Sequence, residues 1–361
     1  MARQTLLLIA LAVLPLAAFN SGASAPHGSA RRHASPLLQG GPPPGVSVQA
    51  GGPPPGSTST GPPGASGSPG GPPRGGPPKK NAPQLALDAF LEVAFKVLYA
   101  TEPELRLDSY KNLQVLWVRA LLASCGKLED DVAFELLPAA SRWIVGPSSA
   151  SFWTPVLPKL EWIAQRTTFI DQVLESWRAA LPEGSEAPQV VLIGSGYDTR
   201  ALRYAKRDPR LAFFEIDLPV VTRAKGVLSS RFAASTGVRL PAMLPLDLMT
   251  CAGGAPALDA LAPLGFDPSR PTLVVFEAVL FYLSPPAKSN LLKEAAVLIN
   301  SSHPASELVL TDNLAPFLRS PARADAEGYF GGALGLTLEQ HSTLWGGAIQ
   351  FARARAGSPR E

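Results

Sequence analysis

The chain has 361 residues, a formal net charge of +3, 46% hydrophobic residues and 17% charged residues. This composition is typical of a globular protein with at least one apolar core. Two cysteines, Cys125 and Cys251, and four scattered histidines exclude a disulfide framework and offer no metal-ligand spacing, so no metal site is expected. The first 80 residues hold six of the 32 basic residues and no acids, which leaves 26 basic against 29 acidic residues. The remainder therefore has no basic tract that would favour nucleic acid.

Residues 1–25 have the features of a signal peptide. An almost wholly apolar run, 5–19, follows Arg3 and precedes small residues. The run is short for a membrane span, and a retained N-terminal anchor is the alternative. Arg31 and Arg32, in a stretch without acids, resemble a transit peptide. We expect entry into the secretory pathway, with a plastid reached through a bipartite leader as one destination, and no stable membrane insertion once the leader is cleaved.

Residues 26–83 are predicted to be a disordered, Gly/Pro-rich leader and linker. Within 40–78, 13 residues are Gly and 13 are Pro. Such a segment cannot bury enough apolar surface to offset the entropy of ordering its backbone. We interpret it as a flexible, partly polyproline spacer, with a site for a proline-recognising module as the alternative.

Residues 84–188 are predicted to form a helical cap region. Apolar residues recur at three- and four-residue spacing in 84–100, 109–126 and 157–181, the pattern of amphipathic helices.

Residues 189–361 alternate between strand-like and helix-like segments, which predicts a parallel sheet with helices on both faces. Two further strand-like runs flank Gly346-Gly347 and predict a terminal antiparallel hairpin. Five parallel strands closed by a hairpin indicate an α/β protein with a Rossmann-like, seven-stranded methyltransferase sheet. The predicted strands are 189–193, 211–216, 238–244, 272–276, 307–311, 336–345 and 348–354, and the predicted helices lie near 219–235, 255–263 and 286–300.

The core begins with QVVLIGSGYDTR, where a buried strand runs into Gly194 and Gly196 and then Asp198. Glycines at this point let the backbone turn and lie close to a ligand. The next strand ends in Glu215 and Asp217, about 20 residues on, where an acid can accept hydrogen bonds from a ribose diol. These segments predict a nucleoside-containing cofactor. An ordinary strand–turn–helix with exposed acids is the alternative.

Five stretches together resemble the leucine carboxyl methyltransferase family over roughly 157–312. They are RTTFIDQVL, VVLIGSGYDTRALRY, FFEIDLPVVTRAK, PLDL and PTLVVFEAVLFYLSP. The resemblance implies S-adenosyl-L-methionine as cofactor. It also implies that Arg166 holds the methionyl carboxylate, which suits the bidentate fork of arginine.

The resemblance assigns the remaining cofactor contacts as well. Gly194 and Gly196 would admit the cofactor, Asp198 would orient the loop or the amino group, and Asp217 would bind the ribose, whereas Glu215 is expected to be structural. Asp247 and Leu248 would bind the adenine; a helix-capping Asp and a core Leu are the alternatives.

Glu277 and Tyr282 are the catalytic candidates that the resemblance implies. The motif places Glu277 near the transferred methyl group, where it is also expected to contact the cofactor; an ordinary acid at a strand end is the alternative. Tyr282, in the same motif, is expected to contact the substrate, with simple packing as the alternative. A carboxylate acceptor needs no base, since it is ionised at neutral pH. A hydroxyl acceptor would need one, and these two residues are the local candidates.

One position departs from the family pattern. Family members that methylate a protein's C-terminal leucine have an Arg directly after the Asp-Leu pair, where this chain has Met249. A thioether cannot pair with a carboxylate. The sequence therefore predicts an O-methyltransferase acting on a small molecule. The alternatives are a protein C-terminal leucine carboxyl methyltransferase and a non-catalytic binding module; a Rossmann oxidoreductase is disfavoured by the missing third glycine and by the hairpin.

Overall fold

The computed structural model describes residues 110–138, 157–182 and 186–357, together with Arg142 and Val145. The predicted signal peptide, the Gly/Pro-rich segment and the predicted helix at 84–100 lie outside these residues. The domain boundaries drawn from the sequence stay predictions.

Among the described residues, three helices precede the sheet: α1 (Tyr110–Ser124), α2 (Asp131–Leu136) and α3 (Leu157–Ala180). The predictions for 109–126 and 157–181 are thereby confirmed. Asp130 caps α2 by accepting a hydrogen bond of 2.9 Å from the Ala133 N–H, which satisfies one of the free donors at the helix start.

The sheet has seven strands in the order β3-β2-β1-β4-β5-β7-β6. Strands β1 to β5 pair in parallel, whereas β7 is antiparallel to both β5 and β6. The seven-stranded sheet with a terminal antiparallel hairpin is thus confirmed. The strands are β1 (Gln189–Ile193), β2 (Ala212–Asp217), β3 (Ala242–Pro245), β4 (Thr272–Glu277), β5 (Glu307–Asp312), β6 (Leu336–Leu344) and β7 (Ile349–Ala356).

Three helices of the core connect parallel strands: α4 (Arg200–Arg207), α5 (Pro219–Thr236) and α6 (Pro285–Ser301). A fourth helix, α7 (Arg323–Tyr329), lies between β5 and the hairpin. Apolar side chains of α1 to α3 share one buried cluster with residues of α4 and α5, including Leu202 and Leu228. The opposite face of the sheet is covered by a second cluster that contains α6 residues such as Leu291 and Leu292. The central strand β1 is buried along its whole length, as its continuous apolar run predicts.

Two predictions need correction. The helix expected near 255–263 is replaced by two short 3-10 helices, Leu248–Gly253 and Asp259–Leu264, because Pro263 and the adjacent glycines do not support an α-helix. Strand β3 is shorter than the predicted 238–244, since it lies at the sheet edge and its residues are only partly buried.

Within the described ranges, the structure contains no helix with the length and apolar character needed to cross a bilayer.

Candidate functional site

The candidate site lies at the carboxyl edge of the parallel strands. Ile193 at the end of β1 is paired with Ile216 of β2 on one side and with Phe276 of β4 on the other. Residues that follow these three strands therefore meet at one edge, which is where open α/β sheets bind their ligands.

The two glycines after β1 have different roles. Both have positive φ, +64° at Gly194 and +47° at Gly196. A Cβ at Gly194 would strike the side chain of Val279, so this glycine is needed for the close packing of the β1 and β4 loops. A Cβ at Gly196 would meet no atom of the described chain within 4 Å. Gly196 is therefore the glycine that leaves room for a ligand.

Asp217 holds the glycine loop from the end of β2. Its carboxylate accepts hydrogen bonds from the Gly196 N–H at 2.6 Å and the Leu218 N–H at 2.7 Å, and its side chain remains only partly buried. Glu215, by contrast, is fully buried and lies 2.7 Å from the ammonium of Lys225, and burial raises the pKa of Glu215. This ion pair agrees with the structural role predicted for Glu215.

Asp198 belongs to a buried ionic network at the start of α4. Its carboxylate accepts from the Arg200 N–H at 2.7 Å and also pairs with the Arg200 guanidinium. Burial opposes ionisation of Asp198, but Arg200, Arg119 and Lys225 outweigh it and hold its pKa far below the usual range. These contacts fit one of the two roles predicted for Asp198, to orient the loop, and both roles stay predictions.

Arg200 connects this loop to β4 and α3. Its guanidinium donates to Glu277 at 2.7 Å and to Asp171 at 2.6 Å, and the side chain has no solvent exposure. Asp171 also accepts a hydrogen bond of 2.9 Å from the Arg203 guanidinium.

Arg119 enters the same network from α1. It donates to Asp130 at 3.0 Å and to Thr199 at 3.2 Å, and it lies 3.9 Å from Glu277. The sequence interpretation missed Arg119 because two of its partners, Thr199 and Glu277, lie far along the chain. A usable signal was present: a lone Arg in the apolar run LQVLWVRALLA. A charge on the buried side of a helix is rarely left unpaired.

Glu277 is surrounded by positive charge. Besides Arg200 and Arg119, its carboxylate contacts Arg166 at 3.7 Å and accepts from the Thr167 hydroxyl at 3.1 Å. Burial raises the pKa of Glu277, but the three arginines outweigh burial and lower it overall. An ionised carboxylate held in this way is suited to binding and orienting, and poorly suited to taking up a proton.

Arg166 differs from the other arginines of the site. It is 5% exposed, its Nε has no hydrogen-bond partner among the described residues, and the carboxylate of Glu277 comes no closer than 3.7 Å. Its guanidinium lies over the Trp162 ring at 4.5 Å. Burial lowers the pKa of Arg166, whereas nearby acids outweigh burial and raise the pKa of Arg119 and Arg200. Arg166 is thus a buried cation with unused capacity for an anion.

The predicted adenine and catalytic residues lie at the same edge with different exposures. Asp247 is exposed and caps the 3-10 helix that follows β3 by accepting from the Met249 N–H at 2.9 Å. Leu248 is buried in the core cluster of that face. Both alternative roles foreseen for this pair are therefore present in the structure. Tyr282 is 78% exposed and Met249 is exposed as well.

Asp312 is a second residue that the sequence interpretation missed. This fully buried carboxylate at the end of β5 accepts from the Val279 N–H at 2.7 Å and the Leu280 N–H at 2.8 Å. It thereby fixes the turn after Glu277, where Ala278 adopts a φ of +55°. Burial raises the pKa of Asp312 to about 6. The acid that ends the apolar run LVLT was the available signal.

The strand order, with β7 antiparallel between β5 and β6, is that of methyltransferases with a Rossmann-like sheet. A family model described as "Leucine carboxyl methyltransferase" matches residues 113–296, which is just over half of the chain. The chain belongs to the leucine carboxyl methyltransferase family.

Its relatives are similar over part of their length. A "Putative S-adenosyl-L-methionine-dependent methyltransferase" of Mycobacterium marinum is 38% identical over 148 residues, 40% of either chain. One from Saccharopolyspora erythraea, described in the same words, is 36% identical over 178 residues, 46% of this chain and 54% of that protein. Among solved structures, an O-methyltransferase family protein from Burkholderia thailandensis has 15% identity and a TM-score of 0.32, over 53% of this chain and 57% of that one. The chain spans about half the length of the curated relatives it matches.

The predicted cofactor, S-adenosyl-L-methionine, is the one that this family uses. The site residues fit it. Arg166 offers a buried guanidinium to a carboxylate, and Gly196 faces open space. Arg166 and Glu277 form a loosely spaced cation and anion that match the zwitterionic methionyl end. Within the described ranges, no group of three or more His, Cys, Asp or Glu is arranged to hold a metal ion.

Proposed function

We propose that this protein transfers a methyl group from S-adenosyl-L-methionine to an oxygen atom, a carboxylate or a hydroxyl, of a small-molecule acceptor. One observation carries the cofactor assignment: Arg166 is buried beside Glu277, whose carboxylate comes no closer than 3.7 Å, and its Nε has no hydrogen-bond partner among the described residues. A carboxylate ligand would satisfy this guanidinium with charge-assisted hydrogen bonds.

Each predicted residue then has a task in binding. Arg166 would hold the methionyl carboxylate, and Glu277 its ammonium group. Asp217 would bind the ribose, with Asp247 and Leu248 around the adenine. When bound, S-adenosyl-L-methionine supplies an already activated methyl group, so the protein's main contribution is to place the acceptor in line.

The charge state of Glu277 bears on the acceptor. Because three arginines keep its pKa low, Glu277 is a weak base. Asp312, whose pKa is raised, is fully buried and out of reach of an acceptor. Such a site favours an acceptor oxygen that is ionised before it binds, such as a carboxylate or an acidic hydroxyl. Exposed Tyr282 would contact the acceptor or assist it.

The position after the Asp-Leu pair bears on acceptor size. Met249 is exposed beside the site and cannot clamp a peptide carboxylate as an Arg would. This supports a small molecule over a protein C-terminus as acceptor.

Binding of S-adenosylhomocysteine to the full-length protein, measured by calorimetry, tests the proposal. We expect the wild type to bind, and Asp217→Ala to weaken binding by about 1–3 kcal/mol through loss of hydrogen bonds to a charged group. Glu327→Ala, at an exposed acid on α7, is the matched control and should bind like the wild type.

The outcomes separate the alternatives. Binding of NAD(H) in place of S-adenosylhomocysteine would point to an oxidoreductase. Binding of S-adenosylhomocysteine without methyl transfer to any acceptor would leave a non-catalytic binding module. Methylation of peptides ending in leucine, but of no small molecule, would replace our acceptor class with a protein C-terminus. A folded protein that binds none of these ligands would contradict the proposal.

We also propose that residues 1–25 direct the chain into the secretory pathway. Support comes from the apolar run and the acid-free basic stretch that follows it. N-terminal sequencing of the protein from its native cell tests this: removal of the apolar run is expected, and an intact N-terminus would contradict it.

A further inference from the structure

The tip of the terminal hairpin lies at the same edge of the sheet as the cofactor site. Strand β7 runs antiparallel to β5, and Gln350 near its start is paired with Asp312 at the end of β5. The β6–β7 turn, formed by Trp345, Gly346 and Gly347, therefore stands beside the carboxyl ends of β4 and β5.

Two ring contacts join this turn to Arg166. The Trp345 ring lies 5.1 Å from the Trp162 ring, tilted by 52°. The Trp162 ring in turn carries the Arg166 guanidinium at 4.5 Å. Trp345 is thus separated by one ring, that of Trp162, from Arg166, the residue assigned to the methionyl carboxylate.

The turn holds Trp345 in an unusual backbone conformation. Trp345 has a φ of +53°, a left-handed value that bulky side chains rarely adopt. Its surroundings keep it there: a Cβ at Gly347 would strike Pro321, and the Gln350 amide donates to the Gly347 carbonyl at 2.8 Å. Local strain of this kind persists where the structure around it is firm, and it clusters at ligand sites.

Despite its contact with Trp162, Trp345 keeps 43% of its surface exposed, and Tyr282 of the β4 loop keeps 78%. The site edge therefore presents two large aromatic surfaces to solvent close to a buried cation. Tryptophan and tyrosine placed in this way bind flat rings by stacking.

We propose that Trp345 is a specificity-determining residue of the acceptor subsite and that the acceptor carries an aromatic ring that stacks on it, with Tyr282 lining the same subsite. This inference rests on the proposed methyltransferase function, because only that function places an acceptor beside Arg166.

The experiment uses the full-length protein saturated with S-adenosylhomocysteine. The probes are 2-naphthoate and 2-naphthol, with decanoate as the aliphatic carboxylate of similar size, and binding is measured by calorimetry. Two variants remove the ring: Trp345→Leu, and Trp345→Gly, which also relieves the left-handed backbone. Trp345→Phe keeps a ring, and Val297→Ala, at an exposed apolar residue of α6, is the surface control.

We expect a naphthyl probe to bind the wild type more tightly than decanoate does. Loss of the ring should weaken the naphthyl probe by about 5- to 20-fold, as for other stacked aromatics. Trp345→Phe should restore most of the affinity, and Val297→Ala should change nothing. Affinity for S-adenosylhomocysteine should stay within about twofold in both ring-removing variants.

Three results would overturn the inference: equal weakening of naphthyl and aliphatic probes, no weakening in either ring-removing variant, or failure of both naphthyl probes to bind the loaded wild type. Failure of S-adenosylhomocysteine to bind would instead overturn the proposed function, so the two failures are distinguishable.

Discussion

The arginines on the two sides of Glu277 differ in how closely they are paired with acids. On one side, Arg119 and Arg200 make close contacts with Asp130, Asp171 and Asp198, and each charge there has an opposite charge within the protein. On the other side, Arg166 meets Glu277 only at 3.7 Å and rests on the Trp162 ring. The first side is a closed framework, whereas the second leaves the Arg166 guanidinium without a close anion.

A buried arginine that binds a ligand can be distinguished from a structural one by the acids around it. Burial alone does not distinguish the two sides, since Arg119, Arg166 and Arg200 are all buried. The number of acids around each guanidinium does distinguish them. Nearby acids raise the pKa of Arg119 and Arg200, whereas fewer acids surround Arg166, so burial lowers its pKa. The unsaturated arginine is the one expected to bind an anion.

Removing an arginine from the closed framework should have the largest effect on the free energy of unfolding. Arg119→Met would leave Asp130 buried without its nearest guanidinium, and removing one partner of a buried pair costs about 3–5 kcal/mol. Urea unfolding measures this loss. Arg323→Met, which removes an exposed pair with Glu327, is the control and should cost at most about 1 kcal/mol. Equal losses in the two variants would contradict a closed framework.

Ionisation of Asp312 should have the next largest effect on stability, because it makes the free energy of unfolding depend on pH. Its folded pKa of about 6 exceeds that of an unfolded Asp, so its favourable contribution to folding is present below about pH 4 and is lost as the pH rises through 6. The full change is roughly 3 kcal/mol. The pKa values of Asp130 and Glu277 are lowered in the folded protein. These two groups therefore lose their stabilising contribution only as the pH falls below about 4, outside this range.

Asp312→Asn should therefore remove this pH dependence between pH 4 and 6, while the Asn oxygen can still accept from the Val279 N–H. Unfolding free energies of both proteins across that range test it. Parallel pH profiles for the wild type and the variant would assign the dependence to another group.

The smallest effect is expected at the turn that follows Glu277. Ala278 has a φ of +55°, which glycine adopts without the steric cost that an L side chain incurs. Ala278→Gly should therefore stabilise the fold by up to about 1 kcal/mol, as measured by thermal unfolding. Ala296→Gly, inside α6, should destabilise it by a similar amount. A destabilised Ala278→Gly variant would show that the turn is not strained.

Much of the fold could be predicted because local patterns decide it. Strand β1 matches its prediction residue for residue, since five buried positions leave no alternative periodicity. The Gly-Gly pair indicated the hairpin. The 3-10 helices after β3 were misjudged because apolar spacing was weighed more heavily than Pro263 and its neighbouring glycines.

The candidate site was predicted where the motif is contiguous and missed where it is not. Asp217 and Glu277 follow recognisable strands, and the structure brings both to the same edge. Arg119 is bound to Asp130 and Thr199, the latter 80 positions away, and no local pattern encodes such a contact. The same holds for Asp312, whose role depends on a turn on the neighbouring strand.

Arg166 is buried without a close carboxylate of its own, and a comparison of two ligands tests whether it binds one. S-adenosylhomocysteine carries the amino-acid end, whereas 5′-methylthioadenosine lacks it. For Arg166→Met we predict that calorimetry shows S-adenosylhomocysteine weakened by about 10- to 100-fold and methylthioadenosine unchanged within about twofold. Equal weakening of both ligands, or weakening of neither, would show that Arg166 does not bind the amino-acid end of the cofactor.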